Sequence, residues 1–162
     1  MELEDIARRI GALLVERGET VAVSESSAGG LISAALLSVP GASAYYLGGA
    51  VVYTPKARQA LLGISTKDMV ASGIRSASEP WAALMARTIR DSHGATWGLS
   101  ETGATGPTGN RYGDPAGHAC LGVEGPVSRT ITLHTGSSER EPNMRAFAAA
   151  ALGLFEDVLE GR

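Results

Sequence analysis

The chain has 162 residues, 44% hydrophobic and 19% charged, which suits one soluble globular domain over residues 1–162 and excludes global disorder. A formal net charge of −3 argues against a general nucleic-acid binder, and no apolar run approaches the roughly 18 residues of a membrane span. One cysteine, Cys120, excludes an internal disulfide framework and a multi-cysteine metal site, and the acidic start Glu2-Leu3-Glu4-Asp5 reads as mature cytoplasmic protein.

Leu3–Arg17 carries Leu3, Ile6, Ile10, Leu13 and Leu14 at helical spacing and stops at Gly18. Thr20–Ser24 is a short β-branched run and predicts a buried strand. Glu25–Gly30 is its turn, and Leu31–Leu37 resumes as a helix that Pro40-Gly41 ends. Ala50–Tyr53 predicts a second strand. Thr54 then caps a helix with Pro55 in its first turn, running to about Leu62. Thr66–Ser72 predicts a short helical segment, and Ser78 caps a helix reaching about Asp91. Ala95–Ser100 predicts a third strand, followed by a glycine-rich loop over Glu101–Pro115. Gly117–Val123 and Val127–His134 predict a hairpin, with Val127, Arg129, Ile131 and Leu133 sharing one face of its second strand. Pro142–Leu159 closes the chain as an amphipathic helix. Strands alternating with helices, then a hairpin, imply a three-layer α/β/α fold with a mixed β-sheet.

Glycine is abundant, at 21 residues, and it clusters after apolar runs, where tight turns meet backbone or ligand. Two loops follow from this. Ser24-Glu25-Ser26-Ser27-Ala28-Gly29-Gly30 leads from a strand into a helix, a place where free N–H groups form an anion site. Its serines offer a nucleophile or extra donors, or simply a helix cap. Glu101–Gly109 is neither a P-loop, which needs a Lys followed by Ser or Thr, nor a dinucleotide fingerprint. A structureless loop of that length points to a ligand-facing role. His93, His118 and His134 are isolated, so neither a metal nor another cofactor is expected. Cys120, Trp81 and Trp97 read as packing residues.

Several segments together resemble the CinA C-terminal domain family, whose characterised members are nicotinamide-nucleotide amidases. The family's A-E-S-C-T-G-G corresponds to Ser24–Gly30, and its G-S-S-A to Gly41-Ala42-Ser43-Ala44. Its V-T-Y-S-N-E-A-K corresponds to Val51–Arg58, and its G-A-V-S-E to the stretch from Gly73 to Glu79, with about two extra residues here. Its T-G-I-A-G-P-x-G corresponds to Thr102–Gly109, and its K-P-V-G-T to Asp114–His118. These blocks occur in one order over nearly the whole chain.

The resemblance implies an α/β/α domain that hydrolyses the carboxamide of nicotinamide mononucleotide to the acid and ammonia, without a metal. It implies a small-molecule nucleotide as partner and a homo-oligomer, while the charge and the lack of a long apolar run argue against nucleic acid and membrane. Carried over by position, Ser26, Ser43, Tyr53 and Thr102 supply the family's catalytic hydroxyls, and Arg140 or Arg145 its late arginine. Glu25, Ser27, Gly29, Gly30, Gly103 and Gly106 are expected to hold substrate. The family lysine is Arg58 here, and a second one is Asp114. Arginine stays protonated and takes no proton from a serine, although it can hold a phosphate or an oxyanion. Lys56 lies two positions away, about 200° around a helix. Three readings stay open: an amidase with Ser26 or Ser43 as nucleophile and Lys56, Glu25 or Asp114 as base; a binding module without turnover; and a hydrolase of another amide served by Asp114 and His118. The amidase reading expects Ser26 and Thr102 in one shared pocket.

Overall fold

The computed structural model describes residues 2–162. Helix α1 (Leu3–Arg17) leads into strand β1 (Val21–Glu25), helix α2 (Leu31–Leu37), a single 3-10 turn (Ala42–Ala44) and strand β2 (Tyr46–Val51). Helices α3 (Pro55–Leu62), α4 (Thr66–Ala71) and α5 (Glu79–His93) follow. Strand β3 (Trp97–Ala104), the hairpin β4 (His118–Glu124) and β5 (Arg129–His134), and helix α6 (Arg140–Glu160) complete the chain. The starts of α3 and α5 obey their sequences: Thr54 and Ser78 each accept the N–H three residues on, and a proline sits in each first turn.

The five strands form one sheet in the order β2-β1-β3-β4-β5. β2, β1 and β3 run parallel, and β4 and β5 antiparallel to their neighbours. The sheet is therefore mixed, as the hairpin at the end of an alternating pattern implied. Helices α1, α2 and α6 cover one face and α5 the other, which makes three layers.

The larger core lies on the first face. Val21, Val23, Leu99, Leu121 and Val123 point there and meet Ile10, Leu14, Ile32, Phe147 and Phe155. Burying these side chains is the main driving force of the fold. A smaller cluster of Val52, Met69, Trp81 and Met85 lies beneath α5. On that face α5 approaches the sheet backbone directly. A Cβ on Gly98 would overlap the Ala86 carbonyl, and the Ser100 hydroxyl donates to the Ala82 carbonyl at 2.5 Å.

Two strand boundaries differ from the sequence expectation by four residues, the others by one or two, and pairing explains both of the larger shifts. β2 begins at Tyr46 rather than Ala50, because Tyr46 and Gly48–Val51 find partners on β1, with a register shift at Leu47. Gly48 and Gly49 therefore belong to a strand that their low β-propensity hides, and Tyr53 lies beyond it. β3 runs four residues past Ser100 into the expected loop. There Glu101, Thr102, Gly103 and Ala104 pair with Leu121, Cys120, Ala119 and His118 of β4.

Phe155 is fully buried and packs edge-on against Trp97, with centroids 5.7 Å apart. Phe155→Ala is expected to lower the unfolding free energy by about 3–5 kcal/mol, read as a reduced urea midpoint at an unchanged m-value.

Candidate functional site

The three parallel strands end at one edge of the sheet, with Glu25, Val51 and Ala104 as their last residues. Ligands of open α/β sheets bind outside such carboxyl ends. The turn from β1 to α2 lies at this edge, and two carboxylates build it. Glu25 is buried, and its side chain accepts N–H bonds from Gly30 (3.0 Å), Ile32 (3.0 Å) and Ser33 (2.8 Å). Those are donors of the first turn of α2, where a negative charge is stabilising. Glu101 of β3 is also fully buried. Its Oε1 accepts from the N–H groups of Ser26 (2.9 Å) and Ala28 (2.8 Å), and its Oε2 accepts from the Ser27 hydroxyl at 2.6 Å. Burial pushes the Glu101 carboxyl above the ordinary range, against the opposing pull of these three bonds.

This corrects one expectation. The turn's N–H groups were assigned to an anionic ligand, yet three of them, with two more in the first turn of α2, are occupied by the protein's own carboxylates. Glu25, assigned to substrate, instead holds the start of α2.

The open space lies beside the turn. Ser26, Ser27, Gly29, Tyr53, Arg140 and Met144 line a hollow of about 270 Å³. Tyr53 and Arg140 also line an adjoining hollow of about 230 Å³, whose other wall is the Gly103–Gly106 stretch. Arg140 joins the two: its guanidinium donates to the Gly106 carbonyl at 2.6 Å and to the Tyr53 hydroxyl at 3.0 Å. Gly106 has φ of +109°, and a Cβ there would overlap the Ser138 carbonyl, so only glycine brings that carbonyl to Arg140. Ser26, Ser27, Tyr53, Gly29, Gly103, Gly106 and Arg140 are thus gathered along one continuous edge. Gly30 contributes its N–H to Glu25. Arg145 is on the exposed side of α6, bound to Glu141 at 2.6 Å, and of the two late arginines Arg140 is the one that lines the hollows.

Three other expected residues lie elsewhere. Thr102 is the neighbour of Glu101 and therefore projects from the opposite face of β3. Its hydroxyl is buried and accepts the Ala77 N–H at 3.3 Å. Ala77 has φ of +53°, an unusual conformation for a residue with a Cβ, and its carbonyl lies 2.8 Å from His118 Nε2. Thr102 thus holds a strained corner and lines neither hollow, so Ser26 and Thr102 share no pocket. Ser43 lies in the 3-10 turn before β2, at the other end of the strand, roughly 17 Å from the site at about 3.3 Å per strand residue. Arg58 is half-buried on α3, stacked over Trp81 at 5.0 Å and donating to the Ser76 hydroxyl at 2.5 Å. It lines a separate cleft that contains none of Ser26, Tyr53, Thr102 or Arg140.

The proposed bases fare no better. Lys56 is exposed on α3. Asp114 is bound by Arg75 at 2.7 Å and by Asn110 at 2.8 Å; these bonds, with nearby His118, outweigh burial and hold its carboxyl below the usual range. His118 is buried, 3.6 Å from Asp114. Among the described residues, no cluster of His, Cys, Asp and Glu is arranged to hold a metal ion. Also among them, no helix is long and apolar enough to cross a membrane. The residue that sequence reasoning missed is Glu101. Extending the alternation of β3 beyond Ser100 would have placed it on the face of Leu99, toward the turn.

The CinA C-terminal domain profile matches residues 3–159. A putative competence-damage inducible protein of Desulforamulus reducens is 33% identical over 159 residues, covering 98% of this chain and 38% of that protein. A CinA-like protein of Chlorobium limicola is 37% identical over 148 residues, covering 88% of this chain and 34% of that protein. The chain thus spans little more than a third of the length of these curated relatives. A CinA superfamily protein of Klebsiella pneumoniae superposes with a TM-score of 0.89 at 22% identity over 100% of both chains, a likeness of fold. The competence/damage inducible protein CihA of Agrobacterium tumefaciens superposes with a TM-score of 0.85 at 29% identity, over 98% of this chain and 95% of that one.

Replacing Glu25 by Ala strips the acceptor from three N–H groups at the start of α2. Each buried orphan donor costs about 1–3 kcal/mol, so a loss of about 3 kcal/mol or more is expected in chemical denaturation. Glu25→Gln keeps one acceptor oxygen and loses less.

Proposed function

The chain belongs to the CinA C-terminal domain family, and from that premise we propose that its sheet-edge pocket hydrolyses the carboxamide of nicotinamide mononucleotide or a related nucleotide. The observation that carries this reading is the 2.6 Å bond from the Ser27 hydroxyl to Glu101. A hydroxyl and a carboxylate at this separation, with the carboxylate oriented by other donors, form a nucleophile–base pair. The N–H groups of Ser26 and Ala28 supply that orientation. Glu101 replaces Lys56, Glu25 and Asp114 as the base, and Ser27 replaces Ser26 and Ser43 as the nucleophile.

The steps balance without a metal. Ser27 Oγ attacks the amide carbon while Glu101 takes the hydroxyl proton. The tetrahedral oxyanion is stabilised by the Arg140 guanidinium or the Tyr53 hydroxyl. The C–N bond then breaks, and Glu101 returns the proton to the leaving nitrogen, which departs as ammonia. Water, with Glu101 again as base, releases the acid and restores Ser27. Among the described residues the Ser26 hydroxyl has no hydrogen-bond partner, and it lines the hollow, where it orients the substrate.

A second reading, binding without turnover, rests on Arg58. At the family's lysine position stands a guanidinium that does not deprotonate and that faces another cleft. Ammonia release from nicotinamide mononucleotide separates the two. Turnover by the wild type, with a loss of about 100-fold or more in Ser27→Ala and Glu101→Gln and a smaller loss in Ser26→Ala, is the expected result. Folding of each variant is checked by circular dichroism. Calorimetric binding without ammonia release establishes the second reading, and neither binding nor release refutes both for this substrate.

The base must be deprotonated to act, and burial raises the Glu101 pKa. The rate should therefore rise with pH through an ionisation above the ordinary glutamate value of about 4.3. The same shift has a stability sign. A carboxyl whose folded pKa is raised favours the folded state most at low pH, and that contribution is lost as pH rises through the folded pKa. Glu101→Gln should flatten both profiles.

A further inference from the structure

Helix α6 fastens the end of β3 at two adjacent carbonyls, and only one of the two bonds belongs to the Ser27 pocket itself. Arg140 holds the Gly106 carbonyl at 2.6 Å, and Asn143, one turn further along the helix, holds the Thr105 carbonyl at 2.9 Å. At Gly106 the backbone has φ of +109°, outside the strand region, which brings both carbonyls to α6. Asn143 is 1% exposed, and its amide is fully engaged. Besides bonding Thr105, Nδ2 donates to the Ser137 carbonyl at 2.8 Å, and Oδ1 accepts the Thr135 hydroxyl at 2.7 Å. Thr135 Oγ1 also accepts the Ser137 N–H at 3.2 Å, so its own proton goes to Asn143 and fixes which way the amide points. The Thr135 N–H donates to the Gly117 carbonyl at 3.0 Å, and the Gly117 N–H to the Ala104 carbonyl at 2.7 Å. A Cβ on Gly117 would overlap the Thr135 hydroxyl. One buried amide therefore ties the end of β3, the connection from β5 and the first turn of α6 into a single body.

We infer that Asn143 is a positioning residue for the Ser27 pocket: it holds the Thr105–Gly106 segment and the start of α6 at the separation that aims the Arg140 guanidinium between Gly106 and Tyr53. The inference rests on the reading of that pocket as an amide-hydrolysing site. A buried amide is costly unless its donors and acceptor are paired, and an apolar side chain would fill the same space without that cost. Both N–H bonds of Asn143 end on main-chain carbonyls, so what they supply is the placement of backbone. Arg140 is a long side chain with many rotamers, and the Gly106 carbonyl is the anchor that selects one. Its second terminal nitrogen then reaches the Tyr53 hydroxyl at 3.0 Å. A charge aimed in advance stabilises an oxyanion without reorganising during the reaction. With the amide removed, the Thr105 and Ser137 carbonyls lose their donor, Gly106 is released from its place beside α6, and Arg140 samples other rotamers. Asn143 lines neither hollow, so the contacts that bind substrate stay as they are.

Kinetics on nicotinamide mononucleotide, with nitrogen NMR of the arginine side chains in the free protein, test this together. Asn143→Leu keeps the bulk and removes the bonds. Thr135→Val removes the hydroxyl that orients the amide, and it takes the place of Asn143→Leu under the same criteria if that variant does not fold. Asn143→Leu is expected to lower kcat about tenfold or more with KM within about twofold, because Arg140 acts in the transition state. In an Arg140→Lys background the same replacement should cost less than about twofold, since the group it acts through is gone. A residue that only supports the fold would lower kcat equally in both backgrounds. The resolved Nη signals of the held Arg140 guanidinium, identified by their loss in Arg140→Lys, should disappear in Asn143→Leu. An unchanged kcat, an equal loss in both backgrounds, or retained Arg140 signals each overturns the inference. If the wild type releases no ammonia, the amidase reading fails, and the Arg140 signals alone decide: their loss in Asn143→Leu upholds the positioning role, and their retention overturns it.

Discussion

The Glu101 carboxylate is the joint on which the sheet edge depends. It accepts three bonds from consecutive residues of the β1–α2 turn, from a position on the adjacent strand 75 residues away in sequence for Ser26. A buried carboxylate left unpaired would be costly, so the turn and the strand end stabilise each other only when both are in place. Glu25 does the same for the start of α2 from the next strand. The two charges lie near each other, and the field of Glu25 adds to the burial that raises the Glu101 pKa. An edge built this way keeps a hydroxyl and a basic carboxylate in register without help from a ligand.

Strand alternation then divides the chemistry. Glu101 faces the turn, while Ser100 and Thr102 on either side of it face α5. Thr102 and His118 grip the N–H and the carbonyl of Ala77, respectively, and hold a backbone conformation that a residue with a Cβ rarely adopts. Support and reactivity therefore come from neighbouring residues of one strand, pointed apart by its period of two.

The positive charges are divided in the same manner. Arg140 joins Tyr53 to Gly106 on the Ser27 side, and Arg58 and Arg111 gather on the other side of the end of β2. The position of the family lysine carries a guanidinium stacked on Trp81 instead. The Ser27 pocket is left with a buried carboxylate, and Arg58 with a guanidinium that donates to Ser76.

Local pattern alone determined the helices, the strand identities, the mixed three-layer sheet and the importance of the serine turn. Helical spacing, capping residues and β-branched runs act over a few neighbours and are visible in the chain. The true length of β2 was hidden by Gly48-Gly49, and that of β3 by Gly103 within an apparent loop, since both are held by ladders to distant strands. Tertiary structure alone decided which carboxylate meets which hydroxyl, that Ser43 and Thr102 stand apart from Ser26, and that Arg140 rather than Arg145 reaches the pocket. The physical reason is that residues far apart in sequence are brought together by sheet order and strand parity. A buried charge then takes whichever donors that arrangement supplies.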